Sequence, residues 1–63
     1  MKVGKLVKGK SYKNTIYPGL YVVYNGIREK GLFEGQHVFK AFGEKYPVLI
    51  CTEKQVLELV TEI

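Results

Sequence analysis

The chain has 63 residues, 46% of them hydrophobic and 13% aromatic, with one cysteine and a formal net charge of +4 at pH 7. That length holds a single domain, residues 1–63, around one small core, because a chain of this size buries only about 60% of the surface its unfolded form exposes. The lone Cys51 excludes an internal disulfide and a cysteine-based zinc site, and the apolar runs are too short to cross a bilayer.

A cysteine used this sparingly fits a reducing, cytoplasmic setting. The N-terminal stretch MKVGKLVKGK has lysines but no continuous apolar run, so it does not read as a signal peptide. A chain this small that opens on Met is expected to be accessory, regulatory or carried by a mobile element, and not a metabolic enzyme.

Residues 2–13 interleave lysines with Val3, Leu6, Val7 and Tyr12. The alternation predicts one irregular edge strand with its lysines in solvent, bent or bulged at Gly4 and Gly9. Pro18 and Gly19 suit the two central positions of a type II turn. Leu20 to Tyr24 is a short apolar run between turn dipeptides, the pattern of a central strand buried on both faces. Asn25-Gly26 signals a type I′ hairpin, although the polar arm Ile27 to Lys30 also fits a longer loop running through Gly31 and Gly35.

A third strand is expected over His37 to Phe42, with His37, Phe39 and Ala41 on one face and Val38, Lys40 and Phe42 on the other. Gly43-Glu44 suits a type II′ turn. Val48 to Cys51 forms the next strand, with Pro47 at its beginning or on an edge. Thr52 and Gln55 match a capping box, and Val56, Leu59, Val60 and Ile63 then fall on one helical face. The C-terminus therefore reads either as an amphipathic helix of about three turns or as one helical turn at 52–56 followed by a closing strand, Leu57 to Val60. Tyr24, Phe39, Phe42 and Tyr46 are expected in the core, and Tyr12 and Tyr17 outside it.

Two fold readings follow. The first is a mainly β, SH3-like small barrel of about five strands with a short C-terminal helical segment; the alternative is an α+β fold, an antiparallel sheet with a full C-terminal helix. The first gains from Gly31 to Lys40, GLFEGQHVFK, in which Gly31, Phe33, Gly35 and Val38 resemble the KOW-type element of small SH3-like barrels in ribosome- and transcription-associated proteins. The stretch departs from that element at Gln36 and His37, where a further glycine is expected, and at Glu34, a place usually neutral or basic. The resemblance implies a barrel and is silent on function.

Charge is unevenly placed. Residues 1–30 carry Lys2, Lys5, Lys8, Lys10, Lys13, Arg28 and Lys30 against Glu29 alone, whereas residues 31–63 carry Lys40, Lys45 and Lys54 against Glu34, Glu44, Glu53, Glu58 and Glu62. A basic half favours a polyanionic partner, although lysines also serve to keep an exposed strand edge from pairing.

Candidate chemistry is sparse. Gly4, Gly9, Lys10 and Ser11 satisfy the phosphate-cradling pattern G-x-x-x-x-G-K-S, but no strand of useful length precedes Gly4, no helical period follows Ser11, and the chain has no aspartate to hold a metal. His37 is the only side chain suited to act as a base at neutral pH, and it reads as a surface or strand-end residue. Cys51, in an apolar run, reads as a small buried hydrophobe. No catalytic residue, metal site or cofactor is expected. What remains is lysine interleaved with tyrosine: Lys5, Lys8, Lys10, Lys13, Arg28 and Lys30 for phosphate contacts, and Tyr12 and Tyr17, with Tyr21, for stacking on unpaired bases. The leading expectation is a non-catalytic module that binds RNA or DNA and no membrane. The alternative is a protein-interaction module or small inhibitor acting through a sheet edge or the Val56 to Ile63 face. The oligomeric state is left open.

Overall fold

The computed structural model of the chain describes residues 3–63. Lys2, where the expected first strand begins, lies outside them. A short 3-10 turn over Val3–Lys5 leads into β1 (Ser11–Asn14), β2 (Val22–Ile27), β3 (His37–Ala41) and β4 (Pro47–Cys51). Helix α1 (Glu53–Leu59) and β5 (Val60–Thr61) complete the chain. All pairings are antiparallel and the strand order is β4-β3-β2-β1-β5. The fold is mainly β, with one short helix. The expected barrel is corrected in one respect: β4 and β5, the two ends of the sheet order, do not pair with each other, so the sheet is not closed.

The first strand is shorter than expected and is not an edge. Gly9, at φ 89°, ends the irregular lead-in, and its N–H donates to the Tyr24 carbonyl at 2.9 Å while Lys10 accepts the Tyr24 N–H at 3.1 Å. Gly9 and Lys10 thus face one residue of β2, a bulge whose left-handed backbone glycine adopts without cost. Beyond it β1 lies between β2 and β5, with Lys13 opposite Thr61 and Asn14 opposite Val60. The lysine-rich edge becomes an interior strand because the last residues of the chain return to cover it.

Pro18 and Gly19 turn as expected: Leu20 N–H donates to the Tyr17 carbonyl at 3.0 Å and Gly19 has φ 86°. The strand after it begins at Val22 and not at Leu20. It buries Val22 and Tyr24 while Val23 is only half-buried, so one face is covered instead of two. Asn25-Gly26 is not a hairpin turn. Of that pair only Gly26 has positive φ, whereas a type I′ turn needs it at both central residues. The dipeptide sits inside β2 at a register shift between Tyr24 and Ile27, and residues 28–36 make the longer loop that was the second reading of this stretch.

In β3, His37, Phe39 and Ala41 face the core as the two-residue period predicts, and Val38 is buried as well. Phe42 and Tyr46, expected in the core, are 76% and 77% exposed. The strand stops at Ala41, whose carbonyl accepts the Glu44 N–H at 3.0 Å. Gly43, at φ 81°, is the second central residue of this turn and not the first, so the turn is not type II′ and both aromatics ride on the connection beyond the sheet. Pro47 opens β4 on the sheet edge, where its missing N–H costs no ladder bond.

The capping box is present: Gln55 N–H donates to Thr52 Oγ1 at 3.3 Å and Thr52 N–H to Gln55 Oε1 at 2.9 Å. The helix it starts has two turns, between the two lengths expected, and Val60 takes extended backbone at its C-cap, where β5 begins. The core gathers Tyr12, Val22, Tyr24, Phe39, Leu49, Cys51, Val56 and Val60, with Leu6, Val48 and Leu59 packed against it. Each strand, and the helix through Val56, therefore contributes to one cluster.

Candidate functional site

Tyr12 is 0% exposed, which corrects its placement outside the core and removes its ring from any stacking role. The ring meets Phe39 edge-on at 6.4 Å, its hydroxyl accepts the Val7 N–H at 2.9 Å, and Lys10 Nζ lies 5.6 Å from the ring centroid. The cation therefore covers the outer side of a core aromatic. Sequence alternation hid this because Asn14, which shares the inward face with Tyr12, is polar.

The antiparallel pairing sorts the other candidates to two ends of the sheet. Toward one end lie the turn over residues 7–10, the bulge at Gly26 and the loop of residues 28–36. A Cβ placed on Gly26 would meet Lys8 Cδ and Cε at 3.9 Å, so the Lys8 stem runs across this glycine, two residues before Arg28. The loop is closed at its base, where Arg28 N–H donates to the Gln36 carbonyl at 2.9 Å and Gly35 N–H to the Arg28 carbonyl at 2.8 Å. Inside it Glu34 N–H reaches the Gly31 carbonyl at 3.2 Å and Gln36 N–H the Phe33 carbonyl at 3.0 Å. Lys8, Lys10 and Lys30 are exposed and Arg28 is half-buried, with its Nε buried and without a hydrogen-bond partner. Leu32 and Phe33, which sequence reasoning did not select, stand exposed on the loop tip. Lys5 is exposed on the 3-10 turn beside α1.

At the other end the loop between β1 and β2 is organised by Asn14. Its Oδ1 accepts the Tyr17 N–H at 2.6 Å and its Nδ2 donates to the Leu20 carbonyl at 2.9 Å, while Thr15 N–H donates to the Leu59 carbonyl at 3.0 Å. A short polar side chain bonding its own following backbone is the usual device for fixing such a loop. Held this way, Ile16, Tyr17, Leu20 and Tyr21 project into solvent, near Phe42 and Tyr46 on the β3–β4 connection. Lys13, Asn14, Gly19, Leu20 and Tyr21 line a cleft of about 320 Å³. Tyr17 and Lys13 are thus accessible, at the end opposite the Lys8 and Arg28 cluster.

His37 and Cys51 are opposite one another across β3 and β4 and both are buried; His37 opens β3, as its strand-end reading has it, and its burial corrects the surface one. The Tyr24 hydroxyl and His37 Nδ1 share a 2.8 Å hydrogen bond. Burial pushes the Cys51 thiol above its ordinary value of 9.0, the reverse of what an activated nucleophile needs. Neither residue lines the cleft. Burial, and secondarily the charge of Tyr12, also raises Tyr24 above 10.0. A raised folded-state value means that the contribution is complete below the unfolded value and lost as pH climbs through the folded one. Stability is therefore expected to hold up to about pH 9 and fall beyond it, first through Cys51 and then through Tyr24. Urea midpoints across the alkaline range check this, and Tyr24→Phe should flatten the upper part of the fall.

Among the described residues no helix is long and apolar enough to cross a membrane, and no group of three or more His, Cys, Asp or Glu is placed to hold a metal ion. Comparison with protein-family models, with curated proteins and with solved structures finds no match.

Proposed function

We propose that the chain is a non-catalytic nucleic-acid-binding module, with RNA or DNA held along the basic end of the sheet. One observation carries this reading: Lys8 and Lys10 are remote in sequence from Arg28 and Lys30, yet the Lys8 stem lies across Gly26, so the two basic segments converge. Converging cations with solvent-facing charges suit a phosphate backbone, whose counterions they release on contact. The succession of four strands, a helical segment and a closing strand supports an SH3-like reading of the architecture, left open along one side. Lys5 extends the basic surface in this reading, and Lys13 and Tyr17, at the opposite end of the sheet, are set aside from it.

The test is a salt titration of binding to a labelled oligonucleotide, followed by anisotropy. Four phosphate contacts on a single strand give a slope of about −3 in log K against log salt. Changing Lys8 and Lys10 together to Gln should reduce that slope by about 1.5 and weaken all sequences alike. Affinity that is indifferent to salt, or no binding at low salt, would overturn the proposal.

A second reading has its own support. Tyr17, Tyr21, Phe42 and Tyr46 are all exposed at the end opposite the basic cluster, around a loop that Asn14 holds in place. Exposed aromatic groups on a preorganised loop suit a protein partner. Partners captured with and without nuclease separate the two, since nuclease releases only what nucleic acid bridges.

A further inference from the structure

We infer that residues 28–36 form a loop that reads single strands, in which the Arg28 guanidinium takes a phosphate and the Phe33 ring stacks on a neighbouring unpaired base. The inference rests on the nucleic-acid reading above and adds to it a preference for unpaired strands and two residues that impose it.

Two observations at separate positions lead here. Phe33 is the one non-glycine residue with positive φ among those described, at 66°. That backbone is unfavourable for a bulky side chain, and a glycine on either side at 31 and 35 shows that the loop already uses the residue that adopts it freely. The strain is not repaid in the core, because the ring is 53% exposed and belongs to no buried cluster. A strained residue that holds an aromatic face to solvent is placed for a partner with a flat face of its own. The second observation is Arg28, whose Nε is buried with no hydrogen-bond partner. That nitrogen is sealed from any ligand, so a phosphate would be taken by the outer nitrogens of the guanidinium, on a residue that is only half-buried.

Loop chemistry also says what kind of strand fits. Glu29 and Glu34 offset Arg28 and Lys30 within the same segment, so the loop adds little to long-range attraction, which Lys8 and Lys10 supply. Its contribution is geometric: a fixed base, closed by Arg28 and Gln36, with one exposed ring at the tip. Stacking needs an open base face, which a duplex hides within its own stack, and it tolerates any sequence because every base has such a face. Oligo(dT) and oligo(U) present the same phosphate and an equivalent face.

The experiment measures binding of the full chain to oligo(dT), to oligo(U), each of about twenty residues to exceed one site, and to a duplex of the same length. Variants are Phe33→Gly, Phe33→Tyr and Arg28→Lys. Phe33→Gly should raise the melting temperature by releasing the backbone strain, and at the same time weaken both single strands about tenfold while leaving the duplex within about twofold. Phe33→Tyr, which keeps the ring, should bind like the wild type. Arg28→Lys keeps the charge and the salt slope but loses the planar fork, and should weaken single strands about fivefold. Single-strand binding of Phe33→Gly equal to wild type, or an equal loss on the duplex, overturns the inference and leaves the module reading intact. Failure of the wild type to bind strand or duplex overturns both.

Discussion

Tyr12→Ala is expected to leave the chain largely unfolded in water at 25 °C. The side chain is fully buried, with its ring against Phe39 and under the Lys10 ammonium, and its hydroxyl is the partner of the Val7 N–H. Truncating a buried aromatic costs about 3–5 kcal/mol, and the Val7 amide loses its acceptor as well. A 63-residue domain has a total of roughly 3–9 kcal/mol, so one substitution removes most of it. Tyr12→Phe keeps the packing and loses only the hydroxyl, at about 1 kcal/mol. Urea unfolding followed by circular dichroism compares the three. A Tyr12→Ala chain with a midpoint near that of the wild type would show that the ring is not the keystone that its burial implies.

Asn14→Ala is expected to cost about 2 kcal/mol, since both ends of the amide are bonded and each such bond is worth about 1 kcal/mol net. The consequence is local as well as global. Without the Asn14 amide, the Tyr17 N–H and the Leu20 carbonyl lose their partners, and the segment carrying Ile16, Tyr17, Leu20 and Tyr21 loses the side chain that fixes it. Asn14→Asp separates the two bonds, because a carboxylate still accepts from Tyr17 but cannot donate to Leu20, and about half of the loss should return. Hydrogen exchange at the Tyr17 amide reports the loop directly. Slow exchange that survives in Asn14→Ala would mean that the Pro18-Gly19 turn holds the loop by itself.

Several parts of this architecture are legible in the residues. The turn at Pro18-Gly19, the start of β4 at Pro47, the capping box at Thr52 and Gln55 and the burial of Cys51 each depend on one local rule, and no other element overrides it. The errors fall where a local rule meets a neighbour distant in sequence. Asn25-Gly26 carries the strongest short hairpin signal in the chain, yet the arm after it has no apolar alternation to pair with β2, and β3 pairs there instead. Phe42 and Tyr46 are large and apolar, but Phe42 falls on the face of β3 opposite Phe39, and both lie beyond the end of the strand at Ala41. The lysines around Tyr12 suggest a solvated strand, and that suggestion hides its burial.

For the candidate site, the residues were easier to read than their grouping. Lys8, Lys10, Arg28 and Lys30 were visible as charges, and their convergence was not, because it depends on Gly9 bulging against Tyr24 and on Lys8 lying across Gly26. In the sequence Phe33 stands out only as the aromatic between two glycines of the KOW-like stretch. Nothing in composition says that it stands at φ 66° with its ring in solvent.

The strand order also governs when the domain can assemble during synthesis. The contacts of β2, β3 and β4 join segments close in sequence and can form early, at small cost in loop closure. Strand β1, made before any of them, has its second neighbour in Val60 and Thr61. A chain still emerging from the ribosome can therefore form a meander of four strands, β1 to β4, while one side of its first strand waits, unpaired, for residues not yet translated. The domain becomes whole only when those residues have been released, and translation past them sets the earliest moment at which the full sheet exists.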